Sequence, residues 1–455
     1  MTEHVAKAAD MLVMGWTFWV ATVIFLLSYG LIISEKIHKT TVAVFGAGIM
    51  IALGILTQED AFHSIDLGVD WNVIFLLISM MLIINIMKPT GAFEYVAIKS
   101  AKAAKGRPFM IMAILSAVTA GFSAFLDNVT TVLLIAPVTI LICKELGLDV
   151  VPFLITEAMA SNIGGTATLI GDPPNIMIAS KAQLDFVTFI YHLTPVIIIV
   201  LVAYIFSIKL IFGKKLVVKE ELRQRAMDMD ERKAIKDPVL LTKSLAVLTL
   251  TVTGFVLHGT LRLQPATIAL VGAGILLLIS GIKRPHHIFA EAEWTTIFFF
   301  IGLFIIIGGV VKVGLITWMS VKVLEFTHGH LFGTSMVVMW FSAFASAFID
   351  NIPYVATMNP LIVDMARQLW PNLSGVELLH NPDLMPIWWS LALGACLGGN
   401  GTAIGASANV IVVGMADRMG RHISFKRFML YGMPLMVESI IICTIYVWLR
   451  YYFLS

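Results

Sequence analysis

The sequence predicts an all-α polytopic membrane protein made of two inverted repeats, with about ten crossing helices, two re-entrant hairpins and helices broken at the midplane. Three observations predict it. Of the 455 residues, 58% are hydrophobic and only 13% are charged, whereas soluble domains carry about 25% charged residues. A chain so poor in charge cannot cover a water-soluble fold, which excludes a soluble enzyme. Apolar runs recur at the length of about 20 residues that a helix needs to cross the hydrocarbon core. Polar motifs inside those runs return further along at a fixed offset, the mark of an internal repeat. The net charge of +2 offers no basic stripe with interleaved aromatics, so no nucleic-acid partner is expected. The partner that composition calls for is the lipid bilayer.

Taken in order, the crossings fall at 11–33, 40–56, 72–88, 152–180, 189–212, 240–258, 265–282, 295–313, 386–416 and 428–449. The start lacks a basic segment followed by a small-residue cleavage site, so the run Met11–Ile33 is expected to stay as a spanning helix. Stretches 109–143 and 331–368 are too long for one crossing, and each is split at its middle by Asp-Asn. They read as hairpins that leave on the side they entered. Segment 91–107, with Lys99, Lys102, Lys105 and Arg107, reads as an amphipathic helix on the inner surface. An even number of crossings puts both termini on one face. The opposite face carries 24 of the 31 lysines and arginines, among them Lys36 and Lys39, and the terminal face carries the rest, beginning with Lys7. The positive-inside rule makes the rich face cytoplasmic and both termini external, as in a bacterial inner membrane. The mixed-charge stretch 213–239 is a cytoplasmic linker between a first repeat, 1–212, and a second, 240–455. Cys143, Cys396 and Cys443 lie in apolar runs and make neither a disulfide framework nor a metal-ligand spacing. No cofactor or metal is called for.

The repeat is explicit. Ser123-Ala-Phe-Leu-Asp-Asn-Val, then Pro137, returns as Ser346-Ala-Phe-Ile-Asp-Asn-Ile, then Pro360, at an offset of 223. Asp70-Trp71 and Glu293-Trp294 share that offset, as do Gly91 and Gly314. Gly164-Gly-Thr-Ala-Thr-Leu-Ile-Gly-Asp-Pro-Pro-Asn175 matches Gly398-Gly-Asn-Gly-Thr-Ala-Ile-Gly-Ala-Ser-Ala-Asn409 at 234, the extra residues falling near 372–385. Five crossings plus a hairpin in each half turn the second half upside down. Inverted repeats with paired broken helices place a transport site near the midplane.

Irregular backbone at membrane depth needs protein or a water-filled cavity to satisfy its amides. The four interruptions supply one. Asp127-Asn128-Val-Thr130 should enter from the cytoplasm and Asp350-Asn351-Ile-Pro353 from outside, with Asn351 placed to cap a helix that begins near Pro353. Asp172 before Pro173-Pro174 reads as a helix cap and restart, and Ser407 fits the same role in the second half. Four helix N-termini, each with free donors and partial positive charge, then converge on one volume. Asn162, Thr166, Thr168, Asn175, Asn400, Thr402 and Asn409 add neutral polar groups. Asp127 and Asp350 are read first as coupling carboxylates, because asparagine or serine would cap without burying charge. Asp172, Glu157 and Glu438 are further proton-coupling candidates.

At these residues the chain resembles the ion transporter superfamily, in the group of arsenite/antimonite permeases, NhaD-type sodium/proton antiporters and the pigmentation P protein. The strings Ser161–Asn175, Ile349–Met358 and Leu393–Asn409 carry the likeness. The resemblance implies a scaffold plus a transport body of hairpins and broken helices, elevator-like alternating access, a small inorganic substrate and H+ or Na+ as coupling ion. It also implies a homodimer and, for an arsenite permease, a cytoplasmic ATPase partner. Two Asp-Asn tips disfavour a dianion, since neighbouring carboxylates repel it. Proton-coupled arsenite/antimonite efflux is the first reading, sodium/proton antiport the second, and an anion transporter or conductance resembling the P protein the third.

Overall fold

The computed structural model describes residues 14–34, 36–213, 216, 218, 220–228 and 230–454. The first positions of the first span (11–13), Lys7, both chain termini and linker positions 214, 215, 217, 219 and 229 lie outside the described residues.

Among the described residues there are helices and no strands. The first half runs α1 (Trp16–Ser34), α2 (Lys39–Ala52), α3 (Gln58–His63), α4 (Trp71–Met87) and α5 (Ala92–Ala103). Hairpin one follows as α6 (Pro108–Ser123) and α7 (Asn128–Leu146). The first broken helix is α8 (Val150–Gly165) and α9 (Pro173–Ala182), and α10 (Phe186–Phe212) closes the half. After the linker helix α11 (Glu220–Met227), the order repeats: α12 (Pro238–Leu261), α13 (Pro265–Ile279), α14 (His286–Ala290), α15 (Trp294–Lys312) and α16 (Leu315–Thr327). Hairpin two is α17 (Leu331–Phe348) and α18 (Asn351–Leu369). An inserted helix α19 (Gly375–Leu379) precedes the second broken helix, α20 (Met385–Gly398) and α21 (Ser407–Arg418), and then α22 (Phe425–Trp448).

Eight helices among the described residues are long and apolar enough to cross a membrane. They are not the same set as the ten expected crossings. Counted by length, the hairpin arms α7 and α17 qualify, while α2 and α13 are shorter apolar helices and the two broken helices are each split in half. Hydropathy measures apolar length, and a hairpin arm has as much of it as a crossing. The surface agrees with lipid: Leu210 is 69% exposed, Phe206 61% and Leu278 85%, a display that water would not support.

The repeat is structural as well as textual. Gly91 and Gly314 start α5 and α16 with φ of 83° and 86°, a left-handed conformation that glycine adopts freely. A Cβ at Gly164 would lie 2.0 Å from the Ala120 carbonyl oxygen, and one at Gly398 2.5 Å from that of Ala343. These positions are counterparts, so in each half the broken helix presses its backbone onto the hairpin's first arm. Halves also interlock, since α2 packs on α15 and α4 on α13. The linker is anchored at several points while many of its described residues stay exposed. Lys102 donates to Glu231 at 2.6 Å, the Arg223 guanidinium to the Lys105 carbonyl at 2.7 Å and the Lys236 amide to the Thr90 carbonyl at 2.9 Å. The Lys102 ammonium holds the Glu231 carboxyl below its ordinary range.

Candidate functional site

Each hairpin turns into its second arm at Asp-Asn. Asp127 accepts from the Thr130 amide at 2.9 Å and from the Thr130 hydroxyl, and Asp350 accepts from the Ile352 amide at 3.1 Å. Both aspartates are therefore helix caps, answering donors that the first turn leaves free. At hairpin two the cap is Asp350, whereas the sequence pattern offers Asn351. With the aspartate turned back on its own helix, the asparagine beside it is free to face the opposite half.

The glycine-rich breaks are stapled by their own side chains, with two of the contacts repeated in both halves. The Asn175 amide donates to the carbonyls of Thr168 (2.9 Å), Thr166 (3.2 Å) and Gly165 (3.4 Å). Its counterpart Asn409 donates to Gly399 and Thr402, both at 2.8 Å. The Thr168 hydroxyl donates to the Ala124 carbonyl at the tip of hairpin one, and that of Thr402 to the Ala347 carbonyl near the tip of hairpin two. Thr166 donates to the Asn162 carbonyl at 2.7 Å. These residues satisfy backbone that lipid cannot. Each restart helix then packs across the halves, α9 on α18 and α21 on α7.

Asp172 and Ser407 are not the caps that their positions suggest. Pro173 and Pro174 have no N–H, and the Asn175 amide is taken by the Asp172 carbonyl at 2.9 Å, so nothing remains for the Asp172 side chain to cap. Fully buried, it turns inward and accepts from Asn128 Nδ2 at 3.3 Å and from Asn351 Nδ2 at 3.3 and 3.4 Å. Those two asparagines are counterparts in the repeat, and position 406, the counterpart of Asp172, is alanine. One carboxylate thus joins both hairpins. Ser407 begins α21 behind the capping position Ala406, and its hydroxyl meets Asp350 Oδ2 at 3.3 Å.

Asn162 extends the cluster. It accepts from Asn128 at 3.1 Å and donates to Asn400 at 2.9 Å and Asn409 at 3.1 Å. On the other side, Cys396 donates to Asn175 Oδ1 at 3.4 Å. Glu157 and Glu438 do not join this network. Glu157 is buried with one oxygen accepting from the Thr139 hydroxyl and the other without a partner, and Glu438 accepts from Ser207 of α10 at 2.8 Å.

Lys39 is a site residue that the charge pattern presents only as a topology signal. From the first position of α2, its Nζ donates to Asp350 Oδ2 at 2.5 Å and to the Ser407 hydroxyl at 3.1 Å. The signal that finds it is local: a lysine in the first turn opposes the helix dipole and needs an anion nearby. A cavity of about 330 Å³ opens here, lined by His38, Lys39, Glu293, Thr296, Asp350 and Ser407. Asp172 has no ion pair among the described residues, so Asp127, Asp172 and Asp350 bring three carboxylates together against one lysine. Such a place can take up a proton, a cation or a neutral hydroxylated solute. Among the described residues no group of His, Cys, Asp and Glu is arranged to hold a metal ion.

The sequence profile described as citrate transporter matches residues 29–394. An uncharacterized transporter of Mycobacterium bovis is 46% identical over 435 residues, covering 96% of this chain and 99% of that protein. A 46 kDa membrane protein of Mycobacterium leprae is 44% identical over 436 residues, with the same coverage. The human P protein is 32% identical over 508 aligned residues, which cover 94% of this chain and 59% of that protein.

Proposed function

The chain belongs to the citrate transporter family of the ion transporter superfamily, an integral membrane transporter, and from that premise we propose that it exports arsenite or antimonite in exchange for protons. In this reading the hairpins and broken helices move as one body past the remaining helices, in two inverted repeats, with the 330 Å³ cavity open to the cytoplasm of a bacterial cell. The observation that carries it is Asp172. A fully buried carboxylate held by the neutral amides of Asn128 and Asn351 and the Cys396 thiol is costly unless protonated or beside a cation. Proton exchange at that group, as the body faces one side and then the other, couples the gradient to the solute. The amides of Asn128, Asn162 and Asn351 offer donors and acceptors to the hydroxyls of a neutral As(OH)₃.

Free citrate fits these residues less well. Among the described residues no arginine bonds to Asp127, Asp172 or Asp350, and three carboxylates repel a polyanion. The same argument stands against an anion conductance. Sodium/proton antiport has one observation in its favour, because carboxylate and amide oxygens together suit a hard cation. Reconstituted vesicles under an imposed pH gradient separate the readings. Arsenite accumulation is expected; sodium-stimulated proton movement without arsenite transport, or transport of citrate in its place, refutes the first reading.

A further inference from the structure

Two cavities flank the site, and their walls are counterparts. The first, about 330 Å³, lies between Glu293 and Thr296 on one wall and Val410 on the other. The second, about 1060 Å³, lies between Asp70 and Val73 on one wall and Ile176 on the other. Asp70 and Val73 match Glu293 and Thr296 at 223, and Ile176 matches Val410 at 234. The same construction thus occurs twice, yet among the described residues only the smaller cavity holds a hairpin-tip aspartate paired with a cation.

At the smaller cavity Lys39 grips Asp350 at 2.5 Å. At the larger one α13 starts with Pro265 where α2 starts with Lys39. Lys181, Arg262 and Arg367 line that cavity; Lys181 pairs with Asp66 at 3.6 Å, while the side chain of Arg262, three residues upstream of Pro265, makes no hydrogen bond or ion pair among the described residues. Asp127, the counterpart of Asp350, likewise has no cationic partner among them. Arg262 matches Lys39, and Asp127 matches Asp350, at the same offset of 223.

We propose that Lys39–Asp350 and Arg262–Asp127 are alternate latches. A slide of the hairpin body into the larger cavity breaks the first pair and closes the second. Lys39 and Arg262 are then positioning residues, each holding one hairpin tip in one end state. Exchanging one ion pair for another keeps the end states close in energy, where breaking a pair outright would leave a carboxylate uncompensated. The proposal rests on the alternating-access part of the proposed function and is independent of the substrate.

Cysteine pairs in the full chain, reconstituted in phosphatidylethanolamine/phosphatidylglycerol vesicles, test it. Lys39→Cys with Asp350→Cys reports the present state, and Arg262→Cys with Asp127→Cys the opposite one. The native cysteines are buried, and the unsubstituted chain gives their background. Both pairs should cross-link with a short bis-thiol reagent. Adding Lys39→Gln to the second pair should raise its yield at least about threefold, by weakening the competing latch. Capture of the first pair alone, or a second-pair yield indifferent to Lys39→Gln, overturns the proposal. Both cross-links in vesicles that move no arsenite would sustain the latches and defeat only the substrate reading. A charge exchange, Lys39→Asp with Asp350→Lys, should return second-pair yields to the starting level if charge rather than shape is what latches. No return there also overturns it.

Discussion

Replacing Asp172 with asparagine removes one charge and almost no volume. The wild-type carboxylate accepts three long hydrogen bonds, at 3.3 to 3.4 Å. Asparagine keeps one acceptor oxygen and turns the other into a donor facing a donor on Asn128 or Asn351. That mismatch costs about 1–3 kcal/mol. Removing an uncompensated buried charge works in the opposite direction and is worth a similar amount or more. Asp172→Asn should therefore fold and melt close to wild type. Coupling should change completely. If one proton exchanges for each neutral solute, a gradient of one pH unit is worth about 1.4 kcal/mol and sustains roughly a tenfold arsenite gradient. With asparagine at 172 the ratio should fall to one, while exchange of labelled for unlabelled arsenite at uniform pH continues. The assay is vesicle accumulation with and without the pH step, on protein of matched thermal stability. An Asp172→Asn variant that still concentrates arsenite in proportion to the pH step would refute the reasoning.

Further outcomes follow from the stapled backbone and the close-packed glycines. Asn175→Ala strips the partner from three carbonyls of the first break and should destabilise by about 2–4 kcal/mol, and Asn409→Ala, which strips two carbonyls of the second, should destabilise in the same direction by less; thermal aggregation in detergent ranks them against wild type. Gly164→Ala and Gly398→Ala push a methyl into a hairpin carbonyl and should each cost about 3 kcal/mol or more, whereas Gly121→Ala and Gly414→Ala, with nothing within 4 Å, should express normally. Outside the membrane, Lys312 holds the Asp60 carboxyl down at about 2 from 3.8. A lowered folded value gives stability that is present above about pH 4 and lost as pH falls toward 2. The melting difference between wild type and Asp60→Asn should be constant near neutrality and vanish over that range.

Much of this architecture is visible in the sequence because lipid removes alternatives. Glycine, proline and asparagine clusters inside apolar runs have one inexpensive reading at membrane depth, a break lining a protected cavity, and both breaks and both hairpin turns stand where those clusters are. What the sequence pattern mistakes is the direction in which side chains turn. Asp172 before two prolines looks like a cap by every local criterion, yet the prolines remove the donors it would cap. Asn351, which answers it instead, is 179 residues away. Ser407 departs from its local reading in the same way, drawn to Asp350 across the interface. Lys39 and Asp350 are 311 residues apart, and no periodicity links them. Capping and stapling are local and legible. Pairing across the halves is set by how they dock.

The lone carboxylate at position 172 has one more consequence. Two halves of common design would naturally place two acids on the line between them, and both would face the same pair of asparagine amides. With alanine at 406, the number of charges there is odd. Under the proposed proton exchange, a single acid between the two asparagines would load one positive equivalent there in each passage, beside the aspartates that cap the two hairpins. An acid introduced at 406 would then add a second acid at that position and change the exchange ratio.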